Sequence, residues 1–311
     1  MNLRRRAADL PLAILAAVAA VLAAALLAFV VRYGRALDPF LACRTWVSTV
    51  IDRLSTVGVL LPAGLLAAGV IAAALALAHQ LYATRRMLRT VLADRRPMSA
   101  GLAAIAASAG LANRLDLVAD RHAFTFCHGL VRPRVCVSSG LVAMLSPTEL
   151  GAVLRHERHH LRFHDPLKIL AGRTLACALF FLPLAGQLRN GYLAGKELAA
   201  DADAAGPGDL ALASALCKLL GADRPVWPAG VLAIGALSPT EARLRHLIEP
   251  ARVPRTLPTP MDWIVSAAVV AGVFGFSYGA AAARRSAPIE SACAPALAFA
   301  PDTAVLVATA P

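Results

Sequence analysis

Charge is what this sequence has least of. Asp, Glu, Lys and Arg together make up 16% of its 311 residues, where a soluble domain carries about 25%. Aromatic residues stand at 5%, too few for a sheet-rich sandwich, whose strands draw on them. No two of the six cysteines stand in C-x-x-C spacing, which removes the strongest sequence signal for a thiolate metal site. Acidic residues are outnumbered as well, 19 against 31 basic, for a net charge of +12. What fills the chain instead is Ala, Leu and Val. Hydrophobic residues make up 58% of it, and mean hydropathy is +0.63. These figures exclude a disordered chain and an ordinary soluble enzyme, and they point to an α-rich integral membrane protein.

The basic excess fits either a nucleic-acid partner or loops held at an anionic membrane face. The arginines flank apolar runs as Arg4-Arg5-Arg6 and Arg85-Arg86 and do not gather with aromatics. The lipid bilayer is therefore the expected partner, and no direct nucleic-acid binding is expected. Three apolar runs are expected to span it. Leu10 to Val31 has 22 residues without charge and reaches about 33 Å as a helix, too long for a cleaved signal peptide. Leu54 to Thr84 is the second, with its span placed at about 57–82. The third, residues 261–283, has Trp263 and Tyr278 near its ends, where amphipathic rings favour the interface.

Five arginines follow the second run within residues 85–96, and Arg243, Arg245, Arg252 and Arg255 precede the third. The positive-inside rule places residues 85–260 in the cytosol, as the one stretch long enough for a domain. Residues 1–84 then hold two spans with an extracytoplasmic loop, and 284–311 form an extracytoplasmic tail. That short tail leaves no room for an extracellular sensor domain. Cys127, Cys136, Cys177 and Cys217 are then cytosolic and reduced, whereas Cys43 and Cys293 fall outside, where a disulfide and two free thiols fit equally well.

Residues 85–260 open with Ala-rich helical sequence to Ala112. A β-like stretch follows from Leu115 to Ser139, broken by Gly129 and Pro133. Ser146-Pro147-Thr148-Glu149 has the form of a helix start, with a capping Ser, Pro at the first helical position and Glu at the third. That helix is expected to run to about Phe163 and to end before Asp165-Pro166. It carries His156-Glu157-Arg158-His159-His160, an H-E-x-x-H. Composition alone gives about 0.004 such matches in a chain of this length. Four residues on rise about 6 Å and turn little past one full turn, so His156 and His160 share a face and can bind one metal ion. Glu157 lies beside that face as the candidate base. Two imidazoles do not hold a catalytic zinc, which takes three protein ligands and leaves a position open. Glu197, on a later helix with Asp201 four residues on, is the candidate third; an isolated Glu-x-x-x-Asp is more often a solvated helix face, and its position after the H-E-x-x-H helix is what favours a ligand. Asp201, one turn beyond Glu197, can accept the free ring N–H of a ligating histidine.

These motifs, taken with Arg132-Pro133, Val137 to Leu141, Asp165-Pro166-Leu167 and Ser238-Pro239 to Arg243, resemble the membrane-bound zincin peptidases. The chain is most similar to the M56 family of antibiotic-responsive sensor proteases, with the M48 family of membrane quality-control proteases as near relative. The resemblance covers roughly residues 85–250. It implies a cytosolic α+β zincin-like metallopeptidase domain and Zn2+ held by His156, His160 and Glu197. It further implies Glu157 as base, Asp201 supporting the ligands, and proteolysis of a cytosolic or membrane-proximal protein. In regulated signalling that substrate would be a transcriptional repressor. The basic residue that often follows the second motif in the family is absent here, where Asp203 and Ala204 stand. Arg243 is then a candidate stabiliser of the transition state, a structural salt bridge being the other reading.

Lys168 to Gly186 is apolar enough to suggest another span. A single crossing would put Glu197 across the bilayer from His156, and the 36 residues between His160 and Glu197 are too few for two comfortable spans. Residues 168–186 are therefore expected to form one helix, buried in the domain or dipping into one leaflet. Two other functions compete with repressor cleavage. They are a quality-control protease of M48 type and a non-proteolytic membrane signalling protein with a structural zinc site.

Overall fold

The structure is a computed structural model and describes residues 2–33, 46–205, 210–222, 243, 247 and 257–286. Cys43, Cys293 and the tail 287–311 lie outside the described residues, as does the Ser238-Pro239 part of the last motif. Among the described residues, three helices are long and apolar enough to cross a membrane, with candidate spans at Ala8–Tyr33, Thr56–Asp94 and Pro260–Ala283. They belong to α1 (Asn2–Tyr33), α2 (Trp46–Val91) and the final helix, Pro260–Ser286. The last is α9 in chain order. With 46 residues, α2 is about 69 Å long and passes unbroken into its arginine-rich end. Arginine is nearly as good a helix former as leucine, so a change from apolar to basic sequence does not end a helix.

The described residues divide into two compact units, those within 2–24 and 66–269 and those within 25–65 and 270–286. In the second unit Phe29 and Tyr33 pack against Phe274 and Tyr278. The Phe29 and Tyr278 rings meet edge to face with centroids 5.3 Å apart, and Tyr33 and Tyr278 do the same at 5.7 Å.

The first unit holds a four-stranded sheet. Its strands are β1 (Arg95–Arg96), β2 (Leu115–Val118), β3 (Thr125–His128) and β4 (Arg134–Ser138), in the order β1-β2-β4-β3. β2 and β4 run parallel, and β1 and β3 are antiparallel to their neighbours. Strand alternation sorts the side chains. Leu115, Cys127, Val135 and Val137 enter a core shared with α3 (Ala100–Ser108), α5 (Pro147–Arg162) and α8 (Ala211–Leu220). Val118, Phe126 and Cys136 instead pack with Ala83 and Met87 of α2. The sheet is thus covered on both faces, one of them by the end of a membrane-length helix. The β3–β4 connection turns at Gly129, with φ of 88°, where a Cβ would lie 2.7 Å from the Arg132 carbonyl oxygen. The Ala-rich opening stops short of Ala112. α3 ends at Ser108, because the chain turns through left-handed backbone at Gly110 and Asn113.

A short helix, α4 (Ser139–Met144), leads to α5. Ser146 caps α5 and Glu149 returns the bond to the Ser146 N–H, so the capping box forms in full. Leu150, Val153 and Leu154 anchor its core face at 2% exposure or less, each worth about 1.5–3 kcal/mol of burial.

Beyond α5 the structure corrects the sequence expectation. Residues 168–186 are not one helix. They divide between α6 (Asp165–Ala178) and α7 (Pro183–Ala204). Pro183 has no N–H to give and holds Leu182 in extended backbone, so the chain turns there and a new helix begins. α6 starts directly after His164, whose left-handed backbone (φ 52°) reverses the chain at the end of α5. α6 meets α2 at Gly69, where a Cβ would lie 2.6 Å from the Ala178 carbonyl oxygen. The Leu184 N–H at the start of α7 donates to Ser266 Oγ of α9 at 3.1 Å. α7 then returns to pack along α5.

Candidate active site

α5 is amphipathic in an unusual sense, because its second buried face is polar. His156, Glu157 and His160 are all fully buried, a costly arrangement unless each polar atom has a purpose. The two His Nε2 atoms stand 3.1 Å apart, as expected one turn apart on a helix. From α7, Glu197 brings Oε2 to 3.6 Å from His156 Nε2 and Oε1 to 3.6 Å from His160 Nε2. These three residues form a group able to hold a metal ion, with their ligand atoms all within 4.8 Å of one another.

The other ring nitrogens face carboxylates. His156 Nδ1 stands 2.9 Å from Asp201 Oδ1, and His160 Nδ1 is hydrogen-bonded to Asp165 Oδ2 at 2.9 Å. Each carboxylate is gripped by a buried cation in turn. Arg243 donates from Nε to Asp201 Oδ2 at 2.8 Å and from Nη2 to Asp201 Oδ1, and its Nη1 lies 3.1 Å from Glu197 Oε2. Lys196 Nζ lies 3.0 Å from Asp165 Oδ1. His159, between the two site histidines in sequence, is held by Asp203 Oδ2 at 3.2 Å and packs on Phe163.

Glu157 is the exception to this pairing. Both of its carboxylate oxygens are buried without a hydrogen-bond partner. Burial raises its pKa to about 7, against the pull of His156 and His160. Burial disfavours a charge on His156, but Asp201 and Glu197 beside it prevail and raise its pKa to about 9. Burial also opposes the charge on Glu197, yet His156 and Arg243 hold that carboxyl below its ordinary range. Asp201 is lowered against burial by Arg243 and His156, and Asp165 likewise by His160 and Lys196. His159 goes the other way, with burial lowering its pKa to about 4 despite Asp203.

The fold thus brings together all the residues singled out from sequence: His156, Glu157, His160, Glu197, Asp201 and Arg243. The guanidinium of Arg243 reaches carboxylates of α7, which is the salt-bridge arrangement. Two participants escape a spacing argument. Asp165 stands five residues after His160 at the first position of α6, and its Asp-Pro pair reads as a helix start. Lys196 precedes Glu197, and nothing local marks it as the partner of Asp165.

Residues 94–218 match Peptidase family M48. The match extends from just before β1 into α8 and includes both halves of the metal-ligand group. No curated protein and no solved structure matches the chain. With the three membrane-length helices, the match supports a membrane-associated protein of metallopeptidase type.

Proposed function

We propose that the protein is a membrane-embedded zinc endopeptidase that cleaves a cytosolic or membrane-proximal protein, in regulated signalling such as repressor cleavage, on the pattern of the M56 family. The observation that carries this reading is the Glu157 carboxylate, buried and without a partner on either oxygen, next to three convergent ligand atoms. A structural zinc site is closed by four ligands and needs no such group. A hydrolytic site needs a base with a free acceptor.

The residues fit the ion. Zinc with tetrahedral bonds of about 2.0–2.1 Å sets neighbouring ligand atoms about 3.4 Å apart; here the two imidazole nitrogens stand 3.1 Å apart and each lies 3.6 Å from a different oxygen of Glu197, with one ligand atom from each residue all within 4.8 Å of one another. Held by His156, His160 and Glu197, the ion would supply a Lewis acid to polarise the scissile carbonyl. The chain supplies the rest. Glu157 takes a proton from the attacking water as the carbon–oxygen bond forms. It then gives that proton to the amide nitrogen as the carbon–nitrogen bond breaks. Asp201 and Asp165 fix which nitrogen of each ring faces inward. Arg243, bound to Asp201 and beside Glu197, is assigned to positioning both carboxylates in place of a direct role on the transition state.

The arginine distribution supports an orientation with residues 85–260 in the cytosol and 284–311 outside. A second reading, a quality-control protease, is favoured by the family matched, which is M48. One experiment separates the two. Proteomes of native-host cells carrying wild type or Glu157→Gln are compared for proteins that accumulate in the variant. A single stabilised cytosolic protein supports regulated cleavage. Many stabilised membrane proteins support quality control, and no difference at all removes proteolysis.

A further inference from the structure

Each imidazole of the metal group leans on a carboxylate, and each carboxylate on a buried cation. On the His156 side the series runs through Asp201 to Arg243. On the His160 side it continues. Lys196 Nζ, with its side chain 5% exposed, lies 3.0 Å from Asp165 Oδ1 and also 2.9 Å from Oδ1 of Asp9, on the first membrane helix. Its ammonium is further enclosed by the rings of Phe163 and Tyr192, at 5.7 and 5.8 Å from the centroids. Two carboxylates and two aromatic faces stand where burial has removed water from this side chain. α1 is seated where this happens, since Ala8 packs on Gly195, the residue before Lys196.

We infer that Asp9 and Lys196 are positioning residues for the metal centre, through which the first membrane helix holds Asp165 against His160. This rests on the metal reading above. The carboxylate of Asp165 can rotate about its terminal bond. With Oδ1 in an ion pair with Lys196 at 3.0 Å and Oδ2 hydrogen-bonded to His160 Nδ1, it is held from both ends. Asp9 fixes the lysine in turn. With Asp9 gone, Lys196 has one carboxylate where it had two, and draws Asp165 away from the imidazole. The metal ligand then loses part of the partner that sets its tautomer and angle. A shift of α1 in the membrane would be felt at His160 by the same route.

Lys168 provides the internal control. Its Nζ lies 3.1 Å from both oxygens of Asp9, so it also ties α1 to α6, and among the described residues the carboxylate it pairs with is Asp9, whereas Asp165 pairs with Lys196. Anchoring of α1 and positioning of Asp165 can therefore be separated. Zinc affinity would be measured by chelator competition on full-length protein in lipid nanodiscs, for wild type, Asp9→Asn, Lys196→Met, Lys168→Met and the Asp9→Asn, Lys196→Met double variant. Visible absorption of the cobalt-loaded forms would report ligand geometry. The expected result is zinc affinity about 10-fold weaker in Lys196→Met, several-fold weaker in Asp9→Asn and unchanged in Lys168→Met. The double variant should be no weaker than Lys196→Met alone, because Asp9 acts only through the lysine. The cobalt spectrum should shift in Asp9→Asn and not in Lys168→Met. Equal losses in Asp9→Asn and Lys168→Met would reduce the network to an anchor and overturn the inference, as would wild-type affinity in Asp9→Asn. Should Lys196→Met fail to fold, the contrast between Asp9→Asn and Lys168→Met, both at partly exposed positions, decides alone. A wild type that takes up no zinc would sink the metal reading itself, an outcome distinct from zinc-binding wild type with indifferent variants.

Discussion

Glu157 and its neighbours show how far single residues can be read. The H-E-x-x-H is local, so helix geometry alone sets His156 and His160 on one face, and their Nε2 atoms indeed meet at 3.1 Å. The expected consequence is that His156→Ala, His160→Ala and Glu197→Ala each strip most of the zinc, measured as metal per purified chain. His159→Ala should keep it, because that ring is engaged by Asp203 and Phe163. Equal zinc loss in His159→Ala would show the wrong pair had been chosen. Glu157→Gln should retain zinc while peptide cleavage falls about 10²–10⁴-fold, the usual worth of a general base. Asp201→Asn keeps size but loses charge at a buried position clamped by Arg243. Metal affinity should then fall about 10–100-fold, whereas a surface residue would change stability by no more than about 0.5 kcal/mol. The pairing of Asp165 with Lys196, and of Lys196 with Asp9, was not legible. Those contacts depend on α1, α6 and α7 meeting in space, and no sequence period records that.

At the scale of elements, the same division holds between local signals and distant partners. The capping box of α5 was readable from Ser146 to Glu149 because all its atoms lie within one turn. What Glu149 does beyond the box was not. Its carboxylate also accepts from Lys218 Nζ and Ser214 Oγ of α8, both at 2.6 Å. These contacts, with Lys218 foremost, lower its pKa from 4.5 to about 2. The folded pKa lies below the unfolded one. Ionised Glu149 therefore stabilises fully above about pH 4.5, and its contribution vanishes as pH falls through about 2. Lys218 is 43% exposed, which screens the pair, so the expected contribution is about 1 kcal/mol. Thermal unfolding across that window should show a steeper acid loss for wild type than for Glu149→Gln, and parallel curves would remove the ion pair from the account. The division of 168–186 into α6 and α7 was legible in principle from Pro183. The apolar run masked it, because composition looks the same on both sides of the turn.

For the whole molecule, sequence defines the membrane-length runs more firmly than their direction. The loop after the first candidate span carries Arg32, Arg35, Arg44 and Arg53, so that span taken alone is ambiguous, and the proposed orientation rests on the arginines after the second candidate span and before the third. The structure adds a chemical handle, since Cys217 on α8 is exposed and Cys127 and Cys136 are buried. In a Cys43→Ser, Cys293→Ser background, Cys217 is the exposed thiol among the described residues, with Cys177 partly covered. If residues 85–260 face the cytosol, a membrane-impermeant maleimide should leave whole cells unlabelled and should label the protein once the membrane is opened. A reporter active only outside the cell should work when fused after Pro311 and be silent when fused near Arg96. Labelling of intact cells, with the reporter pattern reversed, would place the metal centre outside. A cytosolic repressor could then no longer be its substrate, although the ligand geometry, which depends only on α5 and α7 being on one side together, would stand.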